Sequence, residues 1–386
     1  MREQTLENGW RTGLRPEFLA ALEHAAAVSG SKDDGPDLDQ EEILLLLQPT
    51  TADEQAELFR AADLVRARQV GDEVHLRGII EFSNYCRCDC AYCGLRRSNA
   101  KLKRYRLDYG EIWQIAGRAA ALGYRTLVLQ SGEDPWYTGP DLARLIGRIK
   151  RELEVAVTLS LGERSREDYE CWREAGADRY LLKHETADPE LFARLRPGCF
   201  LEERLQCLFW LRELSYQIGS GNMVGLPGQS VATLVRDLLL LRELDAEMVG
   251  IGPFIPHCDT PLAGNSGGSV TATLRMVAVA RLLLPTTHLP ATTALGSIDP
   301  EGRQKALTCG ANVIMPNVTP VAYRPDYQIY PNKLCLGEEP EHCRGCVEGL
   351  IRALGRTVAQ DRGDSRKRKS EVRSPRSGLE GSRRSF

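Results

Sequence analysis

The stretch VHLRGIIEFSNYCRCDCAYCGLRR, residues 74–97, joins a strand-like run to a cysteine-rich loop. Val74–Phe82 is rich in β-branched and other apolar residues, which favours a strand. The loop after it carries Cys86, Cys90 and Cys93 in a C-x3-C-x2-C spacing. Three thiolates on one short loop can hold three irons of a [4Fe-4S] cluster, and the fourth iron is then open to another ligand. The stretch therefore predicts a strand that ends at an iron–sulfur cluster.

A single zinc ion is the alternative occupant of these thiols, and the chain would then be a metal-stabilised binding protein. A structural zinc site normally has four protein ligands, whereas this motif supplies three. Cys88 lies inside the motif and interrupts its spacing. We expect Cys88 to be a bystander to the cluster, although a spare thiol there is an oxidation risk.

Short β-rich runs alternate with helical patterns after residue 74, which predicts an α/β fold. The runs are Val74–Phe82, Thr126–Gln130, Ala156–Leu161, Arg179–Glu185, Gly219–Leu226, Glu247–Phe254, His288–Leu295 and Ala311–Met315. Eight strand–helix repeats predict a complete (βα)8 TIM-type barrel. The cysteine loop follows the C-terminal end of the first strand, which is the active-site face of such barrels.

The remaining segments divide the chain by composition. Residues 1–37 are predicted to be a peripheral N-terminal extension, and residues 38–73 to form the N-terminal helices. Residues 74–355 are predicted to form the barrel, including a second cysteine site at 335–346. Residues 356–386 are rich in Arg, Lys, Ser and Gly. A segment so poor in apolar residues cannot offset its ordering entropy, which predicts a disordered basic tail.

Overall composition argues against several classes of protein. A net charge of −3 argues against a general nucleic-acid binder. No apolar stretch is long enough to span a bilayer, and the N-terminus MREQTLENGW lacks the apolar core of a signal peptide. The 12 cysteines lie in a long α/β pattern, which favours metal or cluster ligands over disulfides. We expect a cytoplasmic protein with no nucleic-acid or membrane partner.

Eight segments closely resemble one family, the [FeFe]-hydrogenase maturase HydE of the radical S-adenosylmethionine (SAM) superfamily. They are IIEFSNYCRCDCAYCGLRR, LVLQSGEDP, AVTLSLGE, GADRYLLKHETADPELFARLRP, MVGLPGQS, MVGIGPFIPH, PATTALG and CGANVIMPNVTP. The resemblance runs through roughly Glu41–Gly355 and implies a complete barrel with a [4Fe-4S] cluster on the three cysteines. It also implies that SAM binds the open iron, where one electron cleaves it to a 5′-deoxyadenosyl radical.

The resemblance implies a set of SAM neighbours: Gln130, Ser131, Glu185, Arg204 and Met248. The run QSGE, residues 130–133, resembles the Gly-Gly-Glu element that contacts the SAM amino group in this superfamily. Glu185 is implied to lie near the SAM ribose and sulfonium. Arg204 is implied to face the SAM carboxylate, for which a guanidinium offers bidentate hydrogen bonds.

A second implied set forms the wall of an anion-binding substrate cavity: Arg77, Thr158, Arg179, Lys183, Thr292, Thr293, Met315 and Tyr327. Cationic and hydroxyl groups suit cyanide or carboxylate groups on a substrate. Lys183 departs from the family, where arginine is common, and keeps the charge without the planar fork. Taken alone, Met315 is typical core filler, the adjacent threonines are ordinary strand residues, and Arg179 is equally compatible with a structural salt bridge.

A second cysteine group, Cys335, Cys343 and Cys346, follows the last predicted strand. It resembles the site that binds an auxiliary cluster, [2Fe-2S] or [4Fe-4S], in some members of the family. Its spacing is also compatible with a zinc site, to which His342 could add a fourth ligand.

The resemblance also implies the reaction. The substrate would be an organometallic iron complex carrying carbon monoxide, cyanide and cysteine, supplied by the partner maturase HydG. The adenosyl radical would attack the cysteine sulfur, and the product would pass towards the di-iron subcluster carried by the scaffold GTPase HydF. A reducing electron donor is required. The alternative enzyme is a methylornithine synthase of the PylB type, which rearranges lysine with the same barrel and motif.

Overall fold

The computed structural model describes residues 13–27 and 35–365. The helices are α1 Pro16–Ala26, α2 Gln40–Leu47, α3 Ala52–Gln69, α4 Tyr109–Ala121, α5 Gly139–Glu152, α6 Arg166–Glu174, α7 Pro189–Leu195, α8 Leu201–Glu213, α9 Val231–Glu243, α10 Val270–Leu283, α11 Thr293–Ile298, α12 Gly302–Leu307 and α13 Pro340–Ala353, with a 3-10 helix at Val321–Asp326. The strands are β1 Glu73–Ser83, β2 Thr126–Ser131, β3 Ala156–Ser160, β4 Arg179–Leu181, β5 Gln217–Ser220, β6 Met223–Val224, β7 Met248–Val249, β8 Gly252–Pro253, β9 Val313–Ile314 and β10 Thr357–Val358. Within the described residues, no helix combines the length and apolar character needed to cross a membrane.

Polar N-cap side chains set where most helices begin. These side chains accept hydrogen bonds from the backbone of the first helical turn, and they are Asp39, Thr51, Asp108, Thr138, Ser165, Asp188, Ser230 and Ser269. Such a cap satisfies an N–H group that the helix itself leaves without a partner. Each of these eight helices therefore starts at a position that the sequence specifies locally.

The main sheet is parallel and strongly curled. Its strands run in the order β10-β1-β2-β3-β4-β5-β7, and β9 pairs with β1. Between β7 and β9 the pairing is reduced to isolated parallel bridges, Met248 with His288 and Pro290 with Val313. The short strands β6 and β8 form a separate two-stranded sheet. The sheet thus forms the curled half-barrel of a radical-SAM-like α/β fold.

The predicted seventh strand, His288–Leu295, is wrong over most of its length. Pro290 has no N–H to donate to a ladder, and Thr292 takes up the N-cap position of α11. The fourth predicted strand is also shorter than expected. Its regular pairing ends at Leu181, and Glu185 has a positive φ of 66°, outside the extended region.

Helix α1 belongs to the main core. Phe18, Ala21, Leu22 and Ala25 are at most 3% exposed, and their spacing places them on one helical face. The predicted boundary at residue 37 assigns α1 to a peripheral extension, whereas its apolar face packs in the main core.

The predicted disordered tail is likewise wrong for residues 356–365; residues 366–386 lie outside the described residues. Strand β10 pairs with the start of β1, and the Arg356 guanidinium donates to the carbonyl oxygens of Leu307 and Ala311 at 2.9 and 3.0 Å. Arg356, which is buried, and the two paired residues of β10 hold this short ordered start in place. The composition of the whole segment does not reveal so small a set of contacts. Residues 361–365, here called the closing segment, then cross the N-terminal edge of the sheet.

Candidate active site

The cysteine loop lies against the end of β2. The amide of Gly132 donates to the carbonyl of Ser83 at 3.0 Å, and that of Arg87 to the carbonyl of Glu133 at 2.9 Å. The amide of Glu133 also points at Cys86 Sγ, at 3.4 Å. These bonds place the loop at the C-terminal edge of the sheet, the edge on which catalytic groups of such folds lie.

The thiols of the loop are close but are not arranged around one metal ion. Those of Cys86 and Cys90 hydrogen-bond to the thiol of Cys88. In residues 13–27 and 35–365, only His257, Cys258 and Asp259 bring three possible ligand atoms within 4.8 Å of one another. A tetrahedral zinc site would need sulfur atoms about 3.8 Å apart, given Zn–S bonds of about 2.3 Å. The wider spacing of Cys86, Cys90 and Cys93 fits a multi-iron cluster better than a single ion.

Gly132 sits where no side chain would fit. A Cβ atom there would lie 2.2 Å from the carbonyl oxygen of Tyr85 and 2.8 Å from Cys86 Cβ. The backbone of β2 can therefore approach the cysteine loop only because this residue is glycine. This close approach at Gly132, here called the glycine cradle, leaves backbone polar groups beside the cysteine loop without a covering side chain. Such groups are expected in an element that contacts SAM.

A buried ion network links the cysteine loop to α7 and α8. Arg196 Nη2 lies 3.0 Å from Glu133 Oε1 and 3.5 Å from Cys88 Sγ. Arg204 Nε donates to Glu163 Oε1 at 2.6 Å, and Nη2 lies 3.6 Å from Glu133 Oε1. Burial raises the pKa of Glu133 against the opposing charges of these arginines. The carboxylate of Glu133 is thus occupied by its contacts with Arg196 and Arg204.

Two buried atoms of the predicted SAM neighbours remain available. Among the described residues, neither Arg204 Nη2 nor Glu185 Oε2 has a hydrogen-bond partner, although Lys183 Nζ lies 3.4 Å from the latter. Buried polar atoms without partners are uncommon in native proteins. Glu185 also adopts a left-handed backbone, which costs about 1–3 kcal/mol and is typical of functional positions. These features fit a bound ligand with charged and hydroxyl groups.

Residues 80–241 match the family model of the Radical SAM superfamily. The chain is 57% identical over 315 residues to the [FeFe] hydrogenase maturase subunit HydE of Thermotoga maritima, which covers 82% of this chain and 90% of that relative. The chain belongs to the HydE family. It is a radical SAM enzyme and an [FeFe]-hydrogenase maturase, and its family implies a [4Fe-4S] cluster and SAM.

More distant relatives agree on the fold. The 3-methylornithine synthase of Methanosarcina acetivorans is 31% identical over 283 residues, covering 73% of this chain and 80% of that relative. The crystal structure of methylornithine synthase PylB superposes with a TM-score of 0.74 at 25% identity, covering 89% and 97% of the two chains. HydG from Carboxydothermus hydrogenoformans gives 0.72 at 21% identity, covering 87% and 78%. The much higher identity to HydE favours the maturase over the synthase.

The substrate-wall residues predicted for the HydE chain separate into two groups. Arg77, Thr158 and Arg179 line one small cavity, and they share it with Met248 and His288. Arg77 Nη1 lies 3.0 Å from Met248 Sδ, so this predicted SAM neighbour contacts the substrate-wall set instead. Arg179 and Gln217, which also lines the cavity, are the first residues of β4 and β5, whereas Glu185 follows the end of β4. This cavity therefore lies well below the SAM end of the sheet.

The other wall residues lie towards the cysteine loop or above it. Tyr327 is buried, and its hydroxyl lies 3.3 Å from Gln130 Nε2. Thr293 begins α11, and the buried Oγ1 of Thr292 has no hydrogen-bond partner in the described part of the chain. Met315 directly follows β9 and is half-buried. Ser131 donates to the carbonyl of Gly132 at 2.6 Å, which places it at the glycine cradle.

The auxiliary cysteines lie outside the sheet. Cys343 and Cys346 are three residues apart on α13, on neighbouring positions of one helical face. Cys335 precedes the helix with a positive φ of 62°, and its carbonyl accepts a hydrogen bond from Arg324 at 2.8 Å. These three residues are not close enough for a single metal ion in the described residues.

Several charged residues of the site escaped sequence reasoning. Glu163 and Arg196 join the cysteine loop to the helices, and Lys333 forms an ion pair with Glu81 inside the sheet. Asp364 contacts Arg179 from the predicted tail. A charged residue in a loop has no periodic signal, so only the three-dimensional contacts identify these four roles.

Proposed function

We propose that this maturase acts on an organometallic iron precursor that carries carbon monoxide, cyanide and cysteine. When bound, the cluster and SAM would supply a 5′-deoxyadenosyl radical after one-electron reduction. The observation that carries the proposal is the series of cations on the interior side of one segment, Lys183 near the SAM end and Arg179 deeper. An anionic cyanide-bearing complex would be attracted along such a series.

The interior direction of these side chains follows from strand alternation. Tyr180, Leu182 and His184 are at most 2% exposed and pack on the helix side. Arg179 alternates with Tyr180 within β4 and therefore points to the opposite side, and beyond the end of the strand Lys183 Nζ lies 3.4 Å from Glu185 Oε2. One wall would then present the substrate cations and the carboxylate proposed to contact SAM. Positioning of the substrate sulfur against the reactive carbon is the main contribution that the protein would make.

The proposed SAM site uses the buried atoms that have no hydrogen-bond partner among the described residues. Arg204 Nη2 would bind the SAM carboxylate, Glu185 would lie near the ribose and sulfonium, and the backbone at the glycine cradle would lie near the amine. Gln130 and Ser131 would complete this end of the site. We also infer that the sheet closes into a full eight-membered barrel; the bridges at His288 and Pro290 support this closure.

The remaining wall residues would surround the substrate. Thr292 offers a buried hydroxyl, while Thr293, Tyr327 and Met315 lie at the same end of the sheet. Arg77, Thr158 and Met248 would form its deeper part with Arg179. This assignment surrounds an anionic substrate with hydroxyl groups and cations. These groups can donate hydrogen bonds to its cyanide ligands.

An auxiliary iron–sulfur cluster on Cys335, Cys343 and Cys346 is part of the proposal. HydG and HydF are proposed as partners that supply the precursor and receive the product, and a reducing electron donor serves the first cluster. The 12 cysteines are all free thiols, which favours a reducing cytoplasm as the compartment.

The test is activation of apo-hydrogenase in vitro with HydG, HydF and SAM under anaerobic conditions. Adding this chain should raise hydrogenase activity well above the level reached when it is omitted. Equal activation with and without the chain, while HydG and HydF are active, would contradict the proposal. A parallel assay for methylornithine formation from lysine should be negative, and a positive result would favour the synthase reaction.

A further inference from the structure

Glu185, which is proposed to contact SAM, lies in a kink of residues 184–187 between β4 and α7. The amide of Glu185 donates to the carbonyl of Gly221 at 3.0 Å, and its carbonyl accepts from the amide of Met223 at 3.0 Å. These bonds form a parallel bridge between Glu185 and Asn222, on the segment after β5. One face of the kink is therefore held by backbone pairing, although Glu185 has a left-handed φ of 66°.

One buried carboxylate, that of Asp237 on α9, contacts the kink on both sides of Glu185. Its Oδ1 atom accepts from the amide of Ala187 and lies 3.5 Å from His184 Nε2. Its Oδ2 atom accepts from Asn222 Nδ2 at 2.9 Å. Asp237 thus joins residues before and after Glu185 to the residue that bridges it.

This group of side chains is sealed from water. His184, Asn222 and Asp237 are fully buried, as is Ser220, whose hydroxyl oxygen lies 3.0 Å from His184 Nδ1. The same hydroxyl accepts from the amide of His184 at 3.2 Å. Removing a partner from a carboxylate that water cannot reach is costly, because nothing replaces the lost hydrogen bond. A shift of the kink would strip Asp237 of partners, so Asp237 resists such a shift.

Asp237 cannot contact SAM itself. It lies on the helix side of the sheet with His184, whereas the Glu185 side chain lies beside Lys183, with Oε2 3.4 Å from Lys183 Nζ. Both oxygens of Asp237 already accept hydrogen bonds, and the residue is fully buried. An effect of Asp237 on SAM must therefore pass through the kink.

We propose that Asp237 is a positioning residue for SAM, because it fixes the backbone of the kink and with it the direction of the Glu185 carboxylate. This role rests on the proposed function, in which Glu185 lies near the ribose and sulfonium of SAM. A left-handed conformation is unfavourable for a glutamate and persists only where its surroundings impose it. Asp237 from the helix side and the bridge to Asn222 from the sheet impose it here.

Asp178 provides a matched control at the opposite end of β4. Its carboxylate accepts from the amide of Val157 at 2.7 Å and from Lys150 Nζ at 2.8 Å. Like Asp237, it joins a helix to the sheet through a backbone amide and a side chain. It holds the start of the strand and not the kink, so Asp178→Asn represents the loss of a purely structural carboxylate.

The test is the dissociation constant of SAM, measured by equilibrium dialysis with anaerobically reconstituted, unreduced protein, so that SAM is not consumed. Five proteins are compared: the unsubstituted chain, Asp237→Asn, Glu185→Gln, the variant with both substitutions, and Asp178→Asn. Asp237→Asn keeps the shape of the side chain but replaces one acceptor oxygen by an NH2 group. Iron content and the midpoint of thermal unfolding are recorded for each protein, to show that cluster and fold are retained.

The dissociation constant should rise about fivefold or more in Asp237→Asn and in Glu185→Gln, a change within the usual range for groups that share one network. Adding Asp237→Asn to Glu185→Gln should raise it by less than about twofold, because the carboxylate that Asp237 positions is already absent. Asp178→Asn should lower the unfolding midpoint and leave SAM binding unchanged. A residue that acts on stability alone would change SAM binding equally in both backgrounds, or in neither.

An equal rise in both backgrounds, or no rise in Asp237→Asn, would overturn the positioning role. If Glu185→Gln weakens SAM binding while Asp237→Asn does not, the proposed SAM site stands and the role of Asp237 alone falls. If Glu185→Gln binds SAM normally, the proposed role of Glu185 falls, and that of Asp237 with it. If Asp237→Asn loses the fold or the cluster, Asn222→Ala makes the same comparisons, because it removes the 2.9 Å bond that ties Asp237 to the bridge.

Discussion

Gly132 and Tyr85 lie so close that a Cβ atom on the glycine would be 2.2 Å from the tyrosine carbonyl oxygen. Because that neighbour is backbone at the start of the cysteine loop, Gly132→Ala must move the loop or the end of β2. We expect at least about a tenfold loss of 5′-deoxyadenosine formation, since misplacement of reacting groups by about 1 Å can cost a hundredfold. Gly117→Ala in α4 is the control, because its Cβ would meet no atom within 4 Å. Full activity of Gly132→Ala would show that the cradle does not position SAM.

Single substitutions distinguish the proposed cluster ligands, Cys86, Cys90 and Cys93, from Cys88. Cys90→Ala should lose the cluster, with Cys86→Ala and Cys93→Ala behaving alike, because each removes one of the three thiolates that are proposed to hold iron. Cys88→Ala should retain the full iron and sulfide content of the unsubstituted chain after anaerobic reconstitution, whereas Cys90→Ala should lose about four of each. Cys88→Ala does remove the sulfur that accepts from Arg196 at 3.5 Å, so a small loss of stability is expected. A cluster in Cys90→Ala, or none in Cys88→Ala, would reverse the ligand assignment.

Arg179→Met should separate SAM chemistry from maturation. The substitution keeps bulk but deletes the charge and the bonds to Thr126, Gln217 and Asp364. SAM binding and slow uncoupled cleavage should survive because Arg204 and Glu185 are intact, while activation of apo-hydrogenase should fall more than about tenfold, the effect of losing a charged contact worth about 1.4 kcal/mol. Arg148→Met on the surface of α5 is the matched control and should activate normally. Normal activation by Arg179→Met would exclude Arg179 from the substrate wall.

The auxiliary cysteines should be dispensable for SAM cleavage. A triple Cys335→Ala, Cys343→Ala, Cys346→Ala variant should bind less iron yet form 5′-deoxyadenosine at the normal rate, because these residues lie on α13 and the preceding loop, outside the sheet. Cys171→Ala, a half-buried thiol on α6, controls for iron bound non-specifically. Loss of the product with the first cluster still loaded would show that this site serves the reaction.

The parts of the fold that repeat a local rule could be predicted from the sequence. The strand before Cys86, the N-caps and the alternation around Tyr180 each depend on neighbours within a few residues. The seventh strand could not be predicted correctly. Pro290 cannot donate to a strand pair and Thr292 is the N-cap of a helix, but the apolar residues around them look like a strand. The closing segment was missed for another reason: Asp364 is held by Arg179, 185 residues earlier, and composition contains no information on such a contact.

Strand β10 also has a consequence for the order in which the chain folds. Arg356 donates to the carbonyl of Asp72, 284 residues earlier, and β10 and β9 both pair with β1. At about 5–20 residues per second, synthesis takes tens of seconds to deliver these partners after β1 has emerged. During that interval the thiols of Cys86–Cys93 are already made, while the strand that positions them has an unpaired edge. Insertion of the cluster should therefore follow synthesis of β10, and until then the sheet that positions these thiols is incomplete.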